Sequence, residues 1–236
     1  MAPITELILL PLNPSITADT VSTVLATNTA RLLASPGCLR VRASRVHEDP
    51  GAKQRLFVDW TSTDAHHAFV ADPAVFAPFA QSMRTIIDPA VPRGKPFHVL
   101  FDPFPPAVLD NKSAGARSPV AELLHVYFPG GEDGYAEDKV QQSTETVRLF
   151  LEKLLALDAG CTGETALGWS LERDVEFKGE PCRVLVVSIG WSSVEAHMKA
   201  RGHEEFPKII PLLRNLEGLK GMELCHVSNT TTESSN

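Results

Sequence analysis

The feature that most constrains this chain is an internal repeat. Val58-Asp59-Trp60-Thr61-Ser62-Thr63-Asp64-Ala65-His66 returns as Ile189-Gly190-Trp191-Ser192-Ser193-Val194-Glu195-Ala196-His197, a shift of 131 positions (191 − 60 and 197 − 66). Three further matches fall in the same order at shifts of 116, 123 and 128: Ile4-Thr5-Glu6-Leu7-Ile8 with Val120-Ala121-Glu122-Leu123-Leu124, Gly37-Cys38 with Gly160-Cys161, and His98-Val99 with His226-Val227. Conserved order with drifting spacing is what two copies of one fold show when only their loops differ.

Each copy reads by period as β-α-β-β-α-β. In the first, Ile4 to Leu12 is an apolar run suited to a strand buried on both faces. Ser15 to Leu33 carries Val21, Leu25, Leu32 and Leu33 at helical spacing, and Ser35-Pro36-Gly37 ends it. Strands around Leu39 to Val46 and Leu56 to Trp60 flank the turn residues Glu48-Asp49-Pro50-Gly51. A helix from Thr63 to Arg84, interrupted at Asp72-Pro73, leads to a closing strand, Phe97 to Phe101. The second copy repeats this with strands Val120 to Phe128, Ala166 to Glu172, Arg183 to Trp191 and Met222 to Val227, and with helices Tyr135 to Leu157 and Ser193 to Leu213. The expected organisation is a repeat over 1–102, a linker over 103–118 rich in Pro, Ser, Gly and Ala, a second repeat over 119–228, and a frayed polar tail over 229–236.

A four-stranded antiparallel sheet with both helices on one side leaves its other face bare. Two such sheets stacked face to face remove the problem. The expected fold class is therefore α+β: two ferredoxin-like βαββαβ repeats forming a pseudo-twofold barrel within one chain, the second copy standing where a homodimer partner would be.

Composition narrows the function classes. With 236 residues, 43% of them hydrophobic, the chain can form two domains of ordinary size. A net charge of −7 gives no electrostatic reason to approach nucleic acid. The N-terminal apolar run stops at Pro11 and Pro14, too short to cross a bilayer, and the expectation is a cytoplasmic protein with no membrane partner. Cys38, Cys161, Cys182 and Cys225 are scattered and read as reduced thiols; Asn229-Thr230-Thr231 matches a glycosylation acceptor without a secretory route to use it. No paired-cysteine or H-E-x-x-H spacing, phosphate-binding loop or dinucleotide motif is present, so no metal and no cofactor are expected.

The W-x-S-x-x-A segment, Trp60 to Ala65 and Trp191 to Ala196, entering the second helix of a βαββαβ unit resembles the dimeric α/β barrel superfamily, in particular its antibiotic-biosynthesis-monooxygenase and stress-responsive branches. The resemblance covers both copies. It implies the barrel fold and a range of activities: cofactor-independent oxygenation of polycyclic aromatics, polyketide cyclisation as in olivetolic acid cyclase, haem chemistry, or none. The cyclase branch carries a Tyr and a His-Pro-x-His cluster on the second helix. Here Phe69, Asp72 and Val75 stand at the Tyr and His positions of the first copy around Pro73, and only His203 remains in the second. The His that the monooxygenase branch places at Phe69 and Ala200 is missing too.

The candidate acid–base residues are Glu6 and Glu122, at matching places on the first strands, where olivetolic acid cyclase has a pocket-lining His. Alternation sets Glu6 beside Ile8 and Leu10, and Glu122 beside Leu124, Val126 and Phe128. Desolvation against such a wall would raise each carboxyl into a useful range; the alternative is a strand-end Glu in water or paired with Arg. His203 is the best histidine candidate for a proton acceptor, against a solvated helix residue beside Glu204 and Glu205. His66 and His197 repeat with the helix and read as packing or capping residues, with His67, His98 and His226 weaker still. His125 and Tyr127 point the opposite way from Glu122, into the interface between sheets. Trp60, Trp191, Phe69, Phe128 and Phe206 are candidates for lining a pocket or for filling it.

Together these point to a cofactor-independent enzyme acting on a small hydrophobic, polyketide-like molecule by proton transfer, cyclisation or oxygenation. The pocket is expected in the second copy between Glu122, Trp191 and His203. The alternative is a non-catalytic ligand-binding or stress-response barrel. The chain is expected to be a monomer with internal pseudo-twofold symmetry, further homodimerisation being left open.

Overall fold

The structure, a computed structural model, describes residues 2–132 and 134–234. Its elements are β1 (Ile4–Pro11), α1 (Ala18–Leu33), β2 (Cys38–Arg45), β3 (Lys53–Trp60), α2 (Thr63–Ala71), α3 (Pro73–Arg84) and β4 (Phe97–Asp102), then a 3₁₀ turn (Ala107–Leu109). There follow β5 (Val120–Pro129), α4 (Glu137–Leu155), β6 (Cys161–Ser170), β7 (Val175–Phe177), β8 (Glu180–Trp191), α5 (Val194–Ala200), α6 (Phe206–Ile209), α7 (Pro211–Arg214), β9 (Gly221–Val227) and β10 (Thr230–Glu233). No helix among the described residues is long and apolar enough to cross a membrane.

All strands join one curled antiparallel sheet in the order β10-β2-β3-β1-β4-β6-β8-β5-β9, with β7 attached to β8. Within it β2-β3-β1-β4 and β6-β8-β5-β9 follow the same internal order. They meet at two seams. At one, β4 pairs with β6 from Val99↔Ser170 to Asp102↔Leu167. At the other, Val46 bridges Val227 and β10 runs along β2, which closes the sheet on itself. Equivalent bonds mark the seams: Leu171 N–H to the His98 carbonyl at 2.8 Å, and His47 N–H to the His226 carbonyl at 2.9 Å.

Strand alternation sorts side chains between the inside of the curl and the helix-covered outside. Leu7, Phe57, Val99, Leu123, Tyr127 and Val186 pack inside. Outside, Ile4, Val58 and Trp60 meet α1 and α2, while Leu124, Val126, Phe128 and Trp191 meet α4 to α7. Glu6 and Glu122 belong to the outer, helix-facing set.

Three expectations need correction. The linker does not merely tether: Val108 and Leu109 are 1% and 0% exposed and sit in the inner core. Asn229 Nδ2 donates to the Leu109 carbonyl (3.0 Å), and Asp110 receives Nε of the fully buried Arg42 at 2.6 Å. The tail is not frayed, because residues 230–233 form β10; residues 235–236 lie outside the described residues. The helix expected over 193–213 breaks into three, since Pro207 and Pro211 lack the N–H a continuous helix would need. Beyond the expected strands, the short β7 turns into β8 through Lys178 and Gly179 at φ 54° and 81°, a two-residue hairpin geometry.

If residues 107–109 plug the sheet, Leu109→Ala removes buried apolar volume. It should lower unfolding free energy in urea by about 2–5 kcal/mol. A change within about 0.5 kcal/mol, as for an ordinary surface position, would return the segment to the role of a tether.

Candidate active site

The repeated segment is explained by what each residue does locally. Ser62 and Ser193 cap α2 and α5, accepting from the N–H of Ala65 (3.2 Å) and Ala196 (3.0 Å). Gly37 and Gly160, at φ 83° and 97°, let the loop before the second strand of each half press on those alanines. A Cβ at either glycine would lie 2.6 or 2.8 Å from the alanine Cβ. The tryptophan ends its strand buried and turns its N–H to the carboxyl across the sheet: Trp60 Nε1 to Glu6 Oε2 at 3.1 Å, Trp191 Nε1 to Glu122 Oε2 at 2.9 Å.

The helix so fixed delivers a histidine to the same place. His66 Nε2 lies 3.5 Å from Glu6 Oε1, and its Nδ1 is 2.8 Å from His98 Nε2 on β4. His98 Nδ1 then meets Glu172 Oε1 at 2.6 Å, and its backbone N–H donates to Glu172 Oε2 at 2.8 Å. The second half repeats the chain. His197 Nε2 lies 3.6 Å from Glu122 Oε2, His197 Nδ1 is 2.7 Å from His226 Nε2, and His226 Nδ1 is hydrogen-bonded to Glu48. The terminal carboxylates are exchanged across the seams: Glu172 reaches a histidine of the first half, Glu48 one of the second.

Burial sets the charge states. Desolvation raises the Glu6 carboxyl, against the lowering influence of His98 and the Trp60 N–H; it pushes Glu122 up to about 7, against the Trp191 N–H and Arg201. It lowers His66 and His197 to about 4, helped by His98 and His226 respectively. Partial burial acts to raise Glu172 and Glu48, but the hydrogen bonds from His98 and His226 outweigh it and hold both below the usual range. With one proton on each ring only one arrangement satisfies every contact. The outer histidine donates Nδ1–H to the seam carboxylate, its Nε2 accepts from Nδ1–H of the inner histidine, and the inner Nε2 offers a lone pair to the buried carboxyl.

Glu6, His66 and His98, and likewise Glu122, His197 and His226, present ligand atoms within 4.8 Å of one another, close enough to hold a metal ion. Ring nitrogens 2.7–2.8 Å apart are at hydrogen-bond distance. That is closer than the roughly 3.3 Å between two nitrogens each about 2.0–2.1 Å from a tetrahedral zinc. The geometry favours a shared proton.

The halves differ in the space beside the buried carboxyl: the first half has a cleft of about 430 Å³ between the end of α1 and α2–α3, walled by Arg31, Pro36, Phe69 and Val75, but Glu6 does not line it. Beside Glu122 lies a cavity of about 240 Å³ bounded by Leu124, Phe150, Ile189, Trp191, His197, Phe206 and Leu213, with Arg201, Arg214 and Glu223 on its wall. The corresponding ground under α2 and α3 is taken by rings: Phe69 is 5.6 Å from Trp60 and edge-on to Phe76 (5.7 Å) and Phe79 (5.4 Å). At the repeat's shift of 131, Phe69 corresponds to Ala200, which is fully buried (69 + 131 = 200). One large-to-small difference accompanies the opening.

Of the candidate residues, the cavity brings together Glu122, Trp191, Leu124 and Phe206. Val126 and Phe128 are fully buried in the helix-facing core and not on its wall, and Glu6, Trp60 and Phe69 form the packed first-half copy. His203 is off the wall as well. α5 ends at Ala200, and the following turn directs His203 Nδ1 to the Glu205 N–H at 3.2 Å. His197 takes the place expected for His203. The signal for it was present: both histidine pairs repeat, so their meeting could have been inferred. Glu48 and Glu172 carry no such mark, because they come from turns of the opposite half. His125 and Tyr127 do face inward; Tyr127 donates to Glu223 at 2.7 Å, whereas His125 Nε2 has no partner.

No family model matches this chain, and no curated protein matches it in sequence. Solved structures do. An anthrone oxidase-like protein superposes with a TM-score of 0.64 at 12% identity, covering 100% of this chain and 95% of its own. A protein of Fusobacterium nucleatum provisionally assigned as a monooxygenase gives 0.58 at 10%, covering 100% and 95%. Chlorite dismutase from Candidatus Nitrospira defluvii gives 0.52 at 10%, covering 96% and 91%. The likeness is one of fold. It spans nearly the whole length of each chain.

Two expectations follow. Phe69→Ala should cost about 3–5 kcal/mol in chemical denaturation, as for a buried aromatic whose neighbours relax only partly. Between the ordinary carboxyl value of 4.5 and about 7, folded Glu122 holds a proton that the unfolded chain has released, so its contribution to stability declines as pH rises through that window. Wild type should therefore weaken relative to Glu122→Gln from pH 4.5 to 7, by up to about 3 kcal/mol. His197, held at about 4, contributes oppositely between 4 and 6.5 but is common to both proteins. Parallel stability curves would show that Glu122 is ionised throughout.

Proposed function

We propose that the chain consists of two ferredoxin-like repeats stacked as a single-chain dimeric α/β barrel, and that the cavity of the second repeat is the active site of a cofactor-independent enzyme acting on a compact hydrophobic molecule. The observation that carries this reading is Glu122: a buried carboxyl, held by the Trp191 N–H, at the edge of an apolar cavity and poised near neutrality. When ionised it removes a proton from an acidic carbon or phenol placed against Ile189 and Phe150. Arg201 and Arg214 on the same wall then face the anion that forms, lowering its energy. From that anion, return of the proton, ring closure and reaction with dioxygen are all open. The names of the anthrone oxidase-like and monooxygenase neighbours lean toward the last. A cavity of about 240 Å³ suits a small ring system of the kind polyketide pathways make, more than an extended chain.

The test is untargeted comparison of extracts incubated with wild-type protein or with Glu122→Gln, which keeps the Trp191 hydrogen bond. A compound consumed by wild type should be consumed about 10²–10⁴ times more slowly by the variant. Equal consumption by both proteins would remove Glu122 from the chemistry. A compound bound but not converted would make the chain a ligand carrier.

A further inference from the structure

A buried base needs a way to exchange its proton with water when the cavity is occupied. Glu122 and His197 are both buried, and a substrate on the cavity wall would cover the remaining approach. On the far side, His226 joins His197 to Glu48, whose side chain is 43% exposed. Glu48 opens onto a second cleft of about 300 Å³, shared with Asp49, Lys53 and Arg55, which adjoins the cavity at Glu223 and Leu224. His47, next in the chain, has its Nε2 engaged by Ser228 Oγ at 2.9 Å and does not compete for it.

We propose that Glu48, delivered across the seam from the opposite half, is the proton outlet of the Glu122 site, acting through His226 and His197. The inference rests on Glu122 as the base. The steps balance as follows. Protonated Glu122 passes its proton to His197 Nε2. The His197 Nδ1 proton moves to His226 Nε2, the His226 Nδ1 proton moves to Glu48, and Glu48 releases it into the cleft. Glu122 is left ionised and both rings have changed tautomer. The same hops in reverse reprotonate Glu122 and restore the rings. Glu172, His98, His66 and Glu6 repeat the connection, but there the carboxyl lies against Trp60, whose ring packs on Phe69.

The experiment is nitrogen NMR on histidine-labelled whole protein, which needs no substrate. In wild type at pH 5, where Glu122 holds its proton, His226 and His197 should each be protonated at Nδ1 and bare at Nε2. Glu48→Gln keeps an acceptor for His226 but cannot take a proton, and should slow exchange of the His197 Nδ1 proton with water by about tenfold or more, while Glu48→Asp restores it in part. An unchanged backbone spectrum verifies that both variants fold. A bare His197 Nδ1 in wild type at pH 5, equal exchange rates in wild type and Glu48→Gln, or a stoichiometric metal bound to the two rings would each overturn the outlet. Its failure is separable from that of the base: if Glu122→Gln abolishes conversion while Glu48→Gln leaves exchange unchanged, only the outlet falls.

Discussion

Closure of the sheet at its two seams is the constraint on which the rest depends. Each set of four strands has one face covered by helices and one apolar face that must meet another surface. The β4–β6 pairing and the Val46–Val227 bridge let the two bare faces become one interior, filled by Leu7, Phe57, Leu123 and Val186 and plugged by Val108 and Leu109. The same seams place Glu172 beside His98 and Glu48 beside His226. The full hydrogen-bonded chain at each buried carboxyl therefore depends on the closure, because its last carboxylate comes from the opposite half.

Burial is what makes these carboxyls useful. A surface Glu would be ionised well below neutrality, whereas Glu122 is desolvated and receives one N–H from Trp191, so its two charge states come close in energy near pH 7. The inner histidine, lowered by the same burial, stays neutral and keeps a lone pair toward it. Both halves possess this arrangement, yet they differ in what surrounds it. In the first, Phe69 with Phe76 and Phe79 occupies the space; in the second, Ala200 and the broken helices α5 to α7 leave a cavity. The hydrogen-bonded chain is the same in both halves, while the packing around it differs.

Much of this was legible in the residues. The period of each segment and the repeated W-x-S-x-x-A gave element order closely, because strand alternation, serine caps and the Gly–Ala contact are local requirements. Glu122 and Trp191 could be placed in one pocket by face and register. What was not legible depended on distance in sequence. Glu48 sits in a turn that local reasoning treats as solvent-exposed, and only the seam shows that it caps a histidine 178 residues away. The break after Ala200 moved His203 off the wall and left His197 to face Glu122. The Pro-rich segment over 103–118 lacked a period because its buried residues, Pro106, Val108, Leu109, Asn111 and Ser118, are unevenly spaced and of mixed polarity.

The account turns on whether Glu122 carries a proton inside the folded protein near neutrality. Difference infrared spectra between wild type and Glu122→Gln isolate the carbonyl stretch of that one carboxyl. The account predicts a protonated-carboxyl band at pH 5 that disappears with a midpoint near 7. A spectrum showing only carboxylate at pH 5 would contradict it.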